Sequence, residues 1–362
     1  MAAHPCLVSE PDRAIRREPT PLMSKLQTKI HLGHSAFAEL EHHWLKLQEQ
    51  ENTLPFIHFH WCVKQASYVA QPIILSIWDQ EECVAILPLA KKVVIHKMRI
   101  EGLVHLCQRF TDYQSLLGSS RFLLSDYLDA AFSALSYSAF KSLPVFLHNP
   151  DHHLTSVVVS SAKRFGTIKK FNRWEHVSYA EKLGPIKKKV IGDASRRRRK
   201  LEEKGNFVTS LDSGYDRTLV GWILNKNADR HGEGALTNYN DRDDIQKLLK
   251  DCGNTLHIAS IKLDEQIVAA HLGFKVNECL YYFVPVINPD FRQYSPGMIL
   301  LEQIFTHFKE LKINKVDFLR GDEAYKYKWG NKKQKKFGLC CLPKKISPIK
   351  KLILLWWFKR NQ

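Results

Sequence analysis

No apolar run in the 362-residue sequence approaches the roughly 20 residues that a membrane-spanning helix needs. The first 23 residues carry charges and prolines but no continuous apolar segment, so they do not resemble a secretory signal. Hydrophobic residues make up 44% of the chain and aromatic residues 11%, which is enough for an ordinary globular core. Together these features predict a folded cytoplasmic protein.

The sequence also lacks the residue spacings that bind metal ions and the cysteine patterns that form disulfides. The eight cysteines lie mostly inside apolar runs, and none forms a CxxC pair. Three histidine pairs occur, but none has a cysteine or carboxylate at ligand spacing. We therefore expect neither a disulfide framework nor a metal site. The histidine pairs are His42–His43, His58–His60 and His152–His153.

Acidic residues disappear after Glu323, while twelve lysines and arginines follow it. A second basic cluster covers residues 187–204. The formal net charge is +17. Such clusters attract the phosphates of a cofactor, of nucleic acid or of lipid headgroups, although each could also be a solvated basic face.

Hydrophobic periodicity predicts an α+β protein. A helix begins near Ser35, and residues 72–89 read as two strands around a polar turn. A long basic helix follows Gly184 and ends before Gly205, and a later helix is predicted over Asp241–Cys252. Three β-branched and aromatic runs then predict an antiparallel meander, followed by a helix from Ser295 to about Leu311. The three runs are Leu256–Lys262, Ile267–Phe274 and Cys279–Val286.

Two hairpin segments indicate an internal repeat. Aligned without gaps, residues 74–89 and 258–273 are identical at six of sixteen positions. Duplication would give two halves with the same unit and a site between them. The alternative is that hydrophobic hairpins share residues through composition alone.

The loop before the Ser295 helix has features of an anion site. Ser295 is suited to cap the helix, Pro296 is favoured as its first residue, and Gly297 lets a ligand approach. Free amides of Gly297 and Met298 would then face a phosphate. Ser-Pro-Gly also begins helices that bind nothing.

A charge-rich segment, RGDEAYKYKWG, follows the next strand, Lys315–Leu319. Asp317 lies inside that apolar strand, which is costly for a carboxylate unless it is paired or faces a cleft. The segment offers a carboxylate, phenols and an ammonium for acid–base chemistry, or it is a capped surface helix. The relevant residues are Glu323, Tyr325, Tyr327, Lys326 and Lys328.

The order of these motifs resembles the acetyltransferase domain of the FemAB-like and CelD-like branch of the GNAT superfamily. The motifs are ASRRRRKLEEKG, the meander, PDFRQYSPGMILL and VDFLRGDEAYKYKWG, within residues 181–340. The resemblance implies an α+β fold of tandem GNAT-like mixed and antiparallel sheets flanked by helices. It divides the chain into a degenerate GNAT-like domain (25–180) and a GNAT acyltransferase domain (181–342). Composition and charge predict a disordered tail before them (1–24) and a basic amphipathic tail after them (343–362).

Carried over residue by residue, the resemblance assigns two groups. Arg292, Ser295, Gly297 and Met298 fall in the loop that binds the donor. The signature after the last strand contains Asp317, Gly321, Tyr325, Lys326 and Trp329. The donor loop lacks the fuller glycine-rich pattern of typical GNAT enzymes. The resemblance implies acyl-CoA, with acetyl-CoA first, as the donor, and the missing glycines leave room for aminoacyl-tRNA or a longer acyl donor.

Acyl transfer to an amine assigns a role to each candidate. A backbone N–H near Tyr282 would stabilise the oxyanion, and Asp317 or Glu323 would take the amine proton. Tyr281 or Tyr325 would protonate the leaving thiolate. Lys326, taken as exposed and therefore charged, would be an electrostatic anchor.

The sequence thus predicts an N-acyltransferase that acts on an amine of a cell-envelope or polysaccharide precursor. The alternatives are an aminoacyltransferase that uses aminoacyl-tRNA, and a non-catalytic protein that binds a membrane surface or nucleic acid. The segment after Pro343 places LILLWWF between lysines. It predicts either contact with the inner membrane surface or a short helix docked on the protein's own core.

Overall fold

The computed structural model describes residues 26–232 and 242–360. The predicted tail 1–24 lies outside these residues, as does the predicted start of a helix at Asp241. No helix in the described ranges is long and apolar enough to cross a membrane. The helices are α1 (Ser35–Gln50), α2 (Phe59–Ala66), α3 (Leu124–Tyr137), α4 (His152–Phe165), α5 (Lys188–Glu202), α6 (Arg217–His231), α7 (Arg242–Asp251), α8 (Pro296–Thr306), α9 (Ala324–Trp329) and α10 (Pro348–Arg360).

The strands of the described ranges join in one sheet, in the order β1-β2-β3-β4-β6-β13-β7-β12-β11-β10-β9-β8, with β5 beside β3. They are β1 (Gln27–Leu32), β2 (Pro72–Asp79), β3 (Glu82–Ile95), β4 (Ile100–His105), β5 (Leu117–Gly118), β6 (Val145–Leu147), β7 (Gly166–Ala180), β8 (Phe207–Ser210), β9 (Leu256–Leu263), β10 (Gln266–Val276), β11 (Cys279–Ile287), β12 (Lys315–Arg320) and β13 (Lys332–Pro343). The mixed α+β class is therefore confirmed.

Each half of the sheet has the same connectivity. In the first half a hairpin leads to β4, then through α3 to β6, which runs parallel to β4. In the second half a hairpin leads to β11, then through α8 to β12, which runs parallel to β11. Helices α3, α4, α5 and α8 pack on one face, and α1, α2, α6, α7 and α10 pack on the other.

The two hairpins also share their register. Ser76 pairs with Ile86, and Ser260 pairs with Ala270, at a constant offset of 184 residues. The register shift in each hairpin falls at the same place, next to Ile77 and next to Ile261. Composition alone does not reproduce a bulge at the same point, so the register supports the predicted duplication.

The two halves exchange strands at the centre of the sheet. Strand β7 pairs with β12 of the second half, and β13 pairs with β6 of the first half. Between them β7 and β13 pair along almost their whole length, from Lys332↔Ser178 to Pro343↔Gly166. The halves therefore share one continuous sheet.

Most sequence-predicted elements are confirmed, including α1, the β2–β3 hairpin, α5 and the β9–β10–β11 meander. Strand β13 was not predicted, because its first half reads KKQKK and resembles a solvated charge run. The predicted helix from Ser295 to Leu311 is too long, since α8 ends at Thr306.

The C-terminal segment docks on the core through one face. Leu354 and Phe358 of α10 are fully buried, and the Phe358 ring lies 6.3 Å from Phe146 and 6.0 Å from Phe171 between centroids. The expectation of a helix docked on the protein's own core is therefore confirmed for this face. The opposite face stays exposed.

Phe358→Ala should lower the free energy of unfolding by about 3 kcal/mol, because it leaves a cavity among buried aromatic rings. The control Ile349→Ala changes a side chain of the same helix that is 73% exposed and should shift stability by less than about 0.5 kcal/mol. Urea unfolding measures both. Equal, small effects would show that α10 is not docked.

Candidate active site

A cleft opens where the parallel strands β11 and β12 separate. They pair at Cys279↔Lys315, Leu280↔Val316 and Tyr281↔Asp317, and then diverge. The resulting cleft has a volume of about 610 Å³. Ligands of open sheets commonly bind beyond the carboxyl ends of parallel strands. Its lining includes Tyr282, Ile287, Arg292, Ser295, Gly297, Met298, Glu323 and Tyr325.

The start of α8 forms one wall of this cleft. Ser295 is the capping residue, as predicted, but its backbone is left-handed (φ 52°) and its side chain makes no capping hydrogen bond. The prediction of a free Met298 amide is wrong, because this N–H donates to the Ser295 carbonyl at 2.9 Å. Among the described residues the Gly297 amide has no acceptor. One free amide and the helix dipole therefore remain for an anion.

Cations surround this wall. Arg292 is exposed on the turn before α8, and Lys226 and Arg230 reach the cleft from α6. Asp229 lies 3.8 Å from Lys226 and offsets part of that charge. The α6 residues were missed by the sequence analysis, because no local motif marks them. The wall has the charge and the free amide that a phosphate group requires.

Lys326 closes the inner end of the cleft and is buried, so the expectation of an exposed lysine is wrong. It is 3% exposed, and its Nζ donates to the Arg320 carbonyl and to the Glu323 carboxylate, each at 2.8 Å. Gly321 has a φ of 125°, and a Cβ there would collide with both Lys326 Nζ and the Glu323 carboxylate. The glycine thus allows the pair to form beneath the chain.

Two phenols lie against this pair. Tyr282 stacks on His271 with ring centroids 4.0 Å apart, and its ring is 6.4 Å from that of Tyr325. Burial raises the pKa of Tyr282, and burial together with Glu323 raises the pKa of Tyr325. Both phenols are therefore protonated at neutral pH and can donate a proton. The amide of Phe283 is occupied, since it donates to His271 Nε2 at 3.2 Å.

Asp317 does not line the cleft. It is 4% exposed and accepts hydrogen bonds from Tyr113 Oη at 3.0 and 3.1 Å and from the Leu319 amide at 2.8 Å, and it pairs with His176 Nε2 at 2.9 Å. Burial alone would raise the pKa of Asp317, but the His176 hydrogen bond and charge hold it down at about 2. Tyr281 lies on the same side of the sheet as Asp317, and its ring packs near that of Tyr113.

Asp112 faces the inner end of the cleft and was missed by the sequence analysis. It lies on the connection after β4 and lines a small extension of about 80 Å³ with Tyr282, Tyr325 and Lys326. Burial raises the pKa of Asp112 to about 6, against the opposing charges of Lys326 and Arg320. No signal in the sequence marked it, because only the fold brings residue 112 to the 320s.

The family comparison agrees with this geometry. Residues 188–327 match the family model described as an acetyltransferase (GNAT) domain. This part of the chain is therefore similar to a GNAT acetyltransferase domain, which supports the predicted acyltransferase. A comparison with curated proteins gives no significant match.

Two solved structures share the overall fold. FemX superposes with a TM-score of 0.55 at 10% identity, covering 90% of this chain and 99% of FemX. The C-terminal domain (DUF2156) of a protein described as a lysylphosphatidylglycerol synthetase from Agrobacterium fabrum also gives 0.55 at 10% identity, covering 88% and 95%. The predicted resemblance to the FemAB-like branch is confirmed at the level of the fold.

Asp317→Asn should weaken the acid dependence of stability. The pKa of Asp317 is about 2 in the folded state against an ordinary 3.8, so ionised Asp317 stabilises the fold above about pH 4 and this contribution is lost as pH falls toward 2. The loss is on the order of 2 kcal/mol in the wild type and should be absent in the variant. Unfolding in urea at a series of pH values measures it.

The control Asp251→Asn removes an exposed carboxylate of the same type and should keep the wild-type acid dependence. An unchanged slope in Asp317→Asn would show that the buried network does not stabilise the ionised form.

Proposed function

We propose that the protein is an N-acyltransferase that moves an acyl group from acyl-CoA, with acetyl-CoA first, to an amine of a cell-envelope or polysaccharide precursor. The observation that carries the proposal is the cleft between β11 and β12, which has cations and a free amide on one wall and acid–base groups at its inner end. Thioester donors of this class carry a pyrophosphate, which suits the Arg292 and Gly297 wall.

The inner end supplies the proton transfers. The acceptor nitrogen attacks the acyl carbonyl, and the carbon–sulfur bond breaks. Asp112, whose pKa is about 6, takes the amine proton in place of Asp317. Glu323 lines the same part of the cleft. Tyr325 donates the proton that the leaving thiolate needs.

The oxyanion is assigned to the backbone of β11 next to Tyr282. The Phe283 amide donates to His271 Nε2 and is therefore not available for this role. Lys326 lies beneath this point and stabilises negative charge there. Because Lys326 is buried, its replacement would also disturb the fold, so it is a poor first test of catalysis.

A second donor, aminoacyl-tRNA, is favoured by the position of α5. This basic helix packs against α8 and the turn before it, so its exposed cations extend from the donor wall. A polyanion would make phosphate contacts along the helix, with strong salt dependence. One structural neighbour is described as a lysylphosphatidylglycerol synthetase, a name whose product carries an aminoacyl group.

Titration calorimetry with acetyl-CoA, coenzyme A and charged tRNA separates the donors. Binding of acetyl-CoA and coenzyme A without tRNA supports the first proposal, and binding of charged tRNA alone supports the second. Failure of all three to bind would contradict both.

Gly297→Val should weaken acetyl-CoA binding at least about tenfold, because the side chain blocks approach to the only free amide of the donor wall. The fold should survive, since a Cβ at Gly297 meets only Ile287 Cγ2, at 3.5 Å. The control Gly192→Val makes the same change on α5, where a Cβ meets nothing within 4 Å. Calorimetry on both variants measures the effect, and equal affinities would exclude this wall.

Asp112→Asn should lower kcat at least about 10²-fold, because an amide cannot accept the amine proton. In the wild type kcat/KM should rise with pH through about 6, as Asp112 loses its proton, and then level off. Acetyl transfer to glucosamine, followed as released thiol, measures both. A variant that keeps the rate and the same pH inflection would remove Asp112 from the reaction.

A further inference from the structure

Helix α10 leaves an apolar stripe in contact with solvent. Ile349 is 73% exposed, Leu352 67% and Trp356 46%, while Leu354 and Phe358 anchor the opposite face in the core. The spacing of three and four residues places the exposed three on one side of the helix. Large apolar side chains grouped on one exposed face mark an interaction surface.

The charged residues of α10 are all positive. The exposed cations are Lys350, Lys351, Lys359 and Arg360. None of the four forms an ion pair with a carboxylate in the described part of the chain, and no acidic residue follows Glu323. The Arg360 guanidinium lies over the Trp356 ring at 4.1 Å, so the stripe and the cations form one surface.

The exposed apolar stripe and the cations beside it together indicate which partner this surface binds. A second copy of the same helix would bring four cations against four, and the repulsion would oppose burial of three side chains. An anionic bilayer attracts the cations and accepts the apolar side chains at the boundary between headgroups and acyl chains. Tryptophan and lysine are the residues that such a boundary favours.

We propose that α10 docks the protein on an anionic lipid surface, with Ile349, Leu352 and Trp356 inserted and the flanking cations on the headgroups. The helix lies in the plane of the interface. Leu354 and Phe358 keep it attached to the core, so docking requires no unfolding. The inference does not depend on the proposed acyl transfer, because binding is measured without donor or acceptor.

Co-sedimentation of the full chain with vesicles tests the proposal. The wild type should bind vesicles that contain phosphatidylglycerol, bind phosphatidylcholine vesicles at least about tenfold more weakly, and be released by about 0.5 M NaCl. Lys350→Glu/Lys351→Glu should weaken binding about 25-fold or more, since each lysine near an anionic surface contributes about fivefold. Ile349→Ser/Leu352→Gln/Trp356→Ser should weaken it at least about tenfold.

Point variants are preferable to removal of the helix, because truncation would expose Phe146 and Phe171. The control Lys189→Glu/Lys200→Glu makes the same charge change on exposed positions of α5 and should bind as the wild type does. An equal loss in this control would assign binding to net charge and overturn the proposal. The proposal would also be overturned if the wild type did not bind the vesicles. A lipid-free dimer that the triple variant Ile349→Ser/Leu352→Gln/Trp356→Ser converts to monomer would overturn it as well.

Discussion

The antiparallel pairing of β7 with β13 is the interaction on which the rest of the structure depends. Strand β7 ends the first half and β13 ends the second, and each lies between its partner and a strand of the opposite half. Neither half can complete its sheet alone, because buried backbone groups of the central strands need partners. The exchange fixes the distance between the connection after β4 and the splayed strands β11 and β12, so the cleft is shared by both halves.

Two carboxylates at this junction show how position decides chemistry. Asp317 is satisfied by Tyr113, His176 and the Leu319 amide, and its pKa is held at about 2. Asp112 is one residue before Tyr113, yet burial outweighs its attraction to Lys326 and Arg320 and raises its pKa to about 6. The first is an ionised tie between halves, and the second can exchange a proton near neutral pH. The Tyr113 bond to Asp317 holds Asp112 at the cleft.

The sequence predicted what local patterns encode. The hairpins, the meander and the Ser-Pro-Gly helix start have their own periodicity or turn chemistry, so the start of α8 was placed correctly. Burial was not encoded locally: Lys326 reads as a surface lysine, and Asp317 reads as a cleft carboxylate because its partners come from distant segments. The contribution of Asp112 required the strand exchange, and that of α6 required the packing of this helix on β11. No pattern of spacing reveals either. Strand β13 was not predicted because the lysines of its first half resemble a charged, solvent-exposed segment.

The connection after β4 covers, in the first half, the position that is open between β11 and β12 in the second half. In the second half, the corresponding connection after β11 leads into α8 and forms the wall that carries the free Gly297 amide. In the first half it returns across the separated ends of β4 and β6, where Gln114 bridges to Pro150, and its backbone bonds to Asn149 and Asp151 at 2.7 and 3.0 Å. A segment that fills its own half's gap cannot bind a ligand there. The same fixed segment carries Asp112 and Tyr113 to the other half, so closing one cleft positions the groups at the inner end of the other.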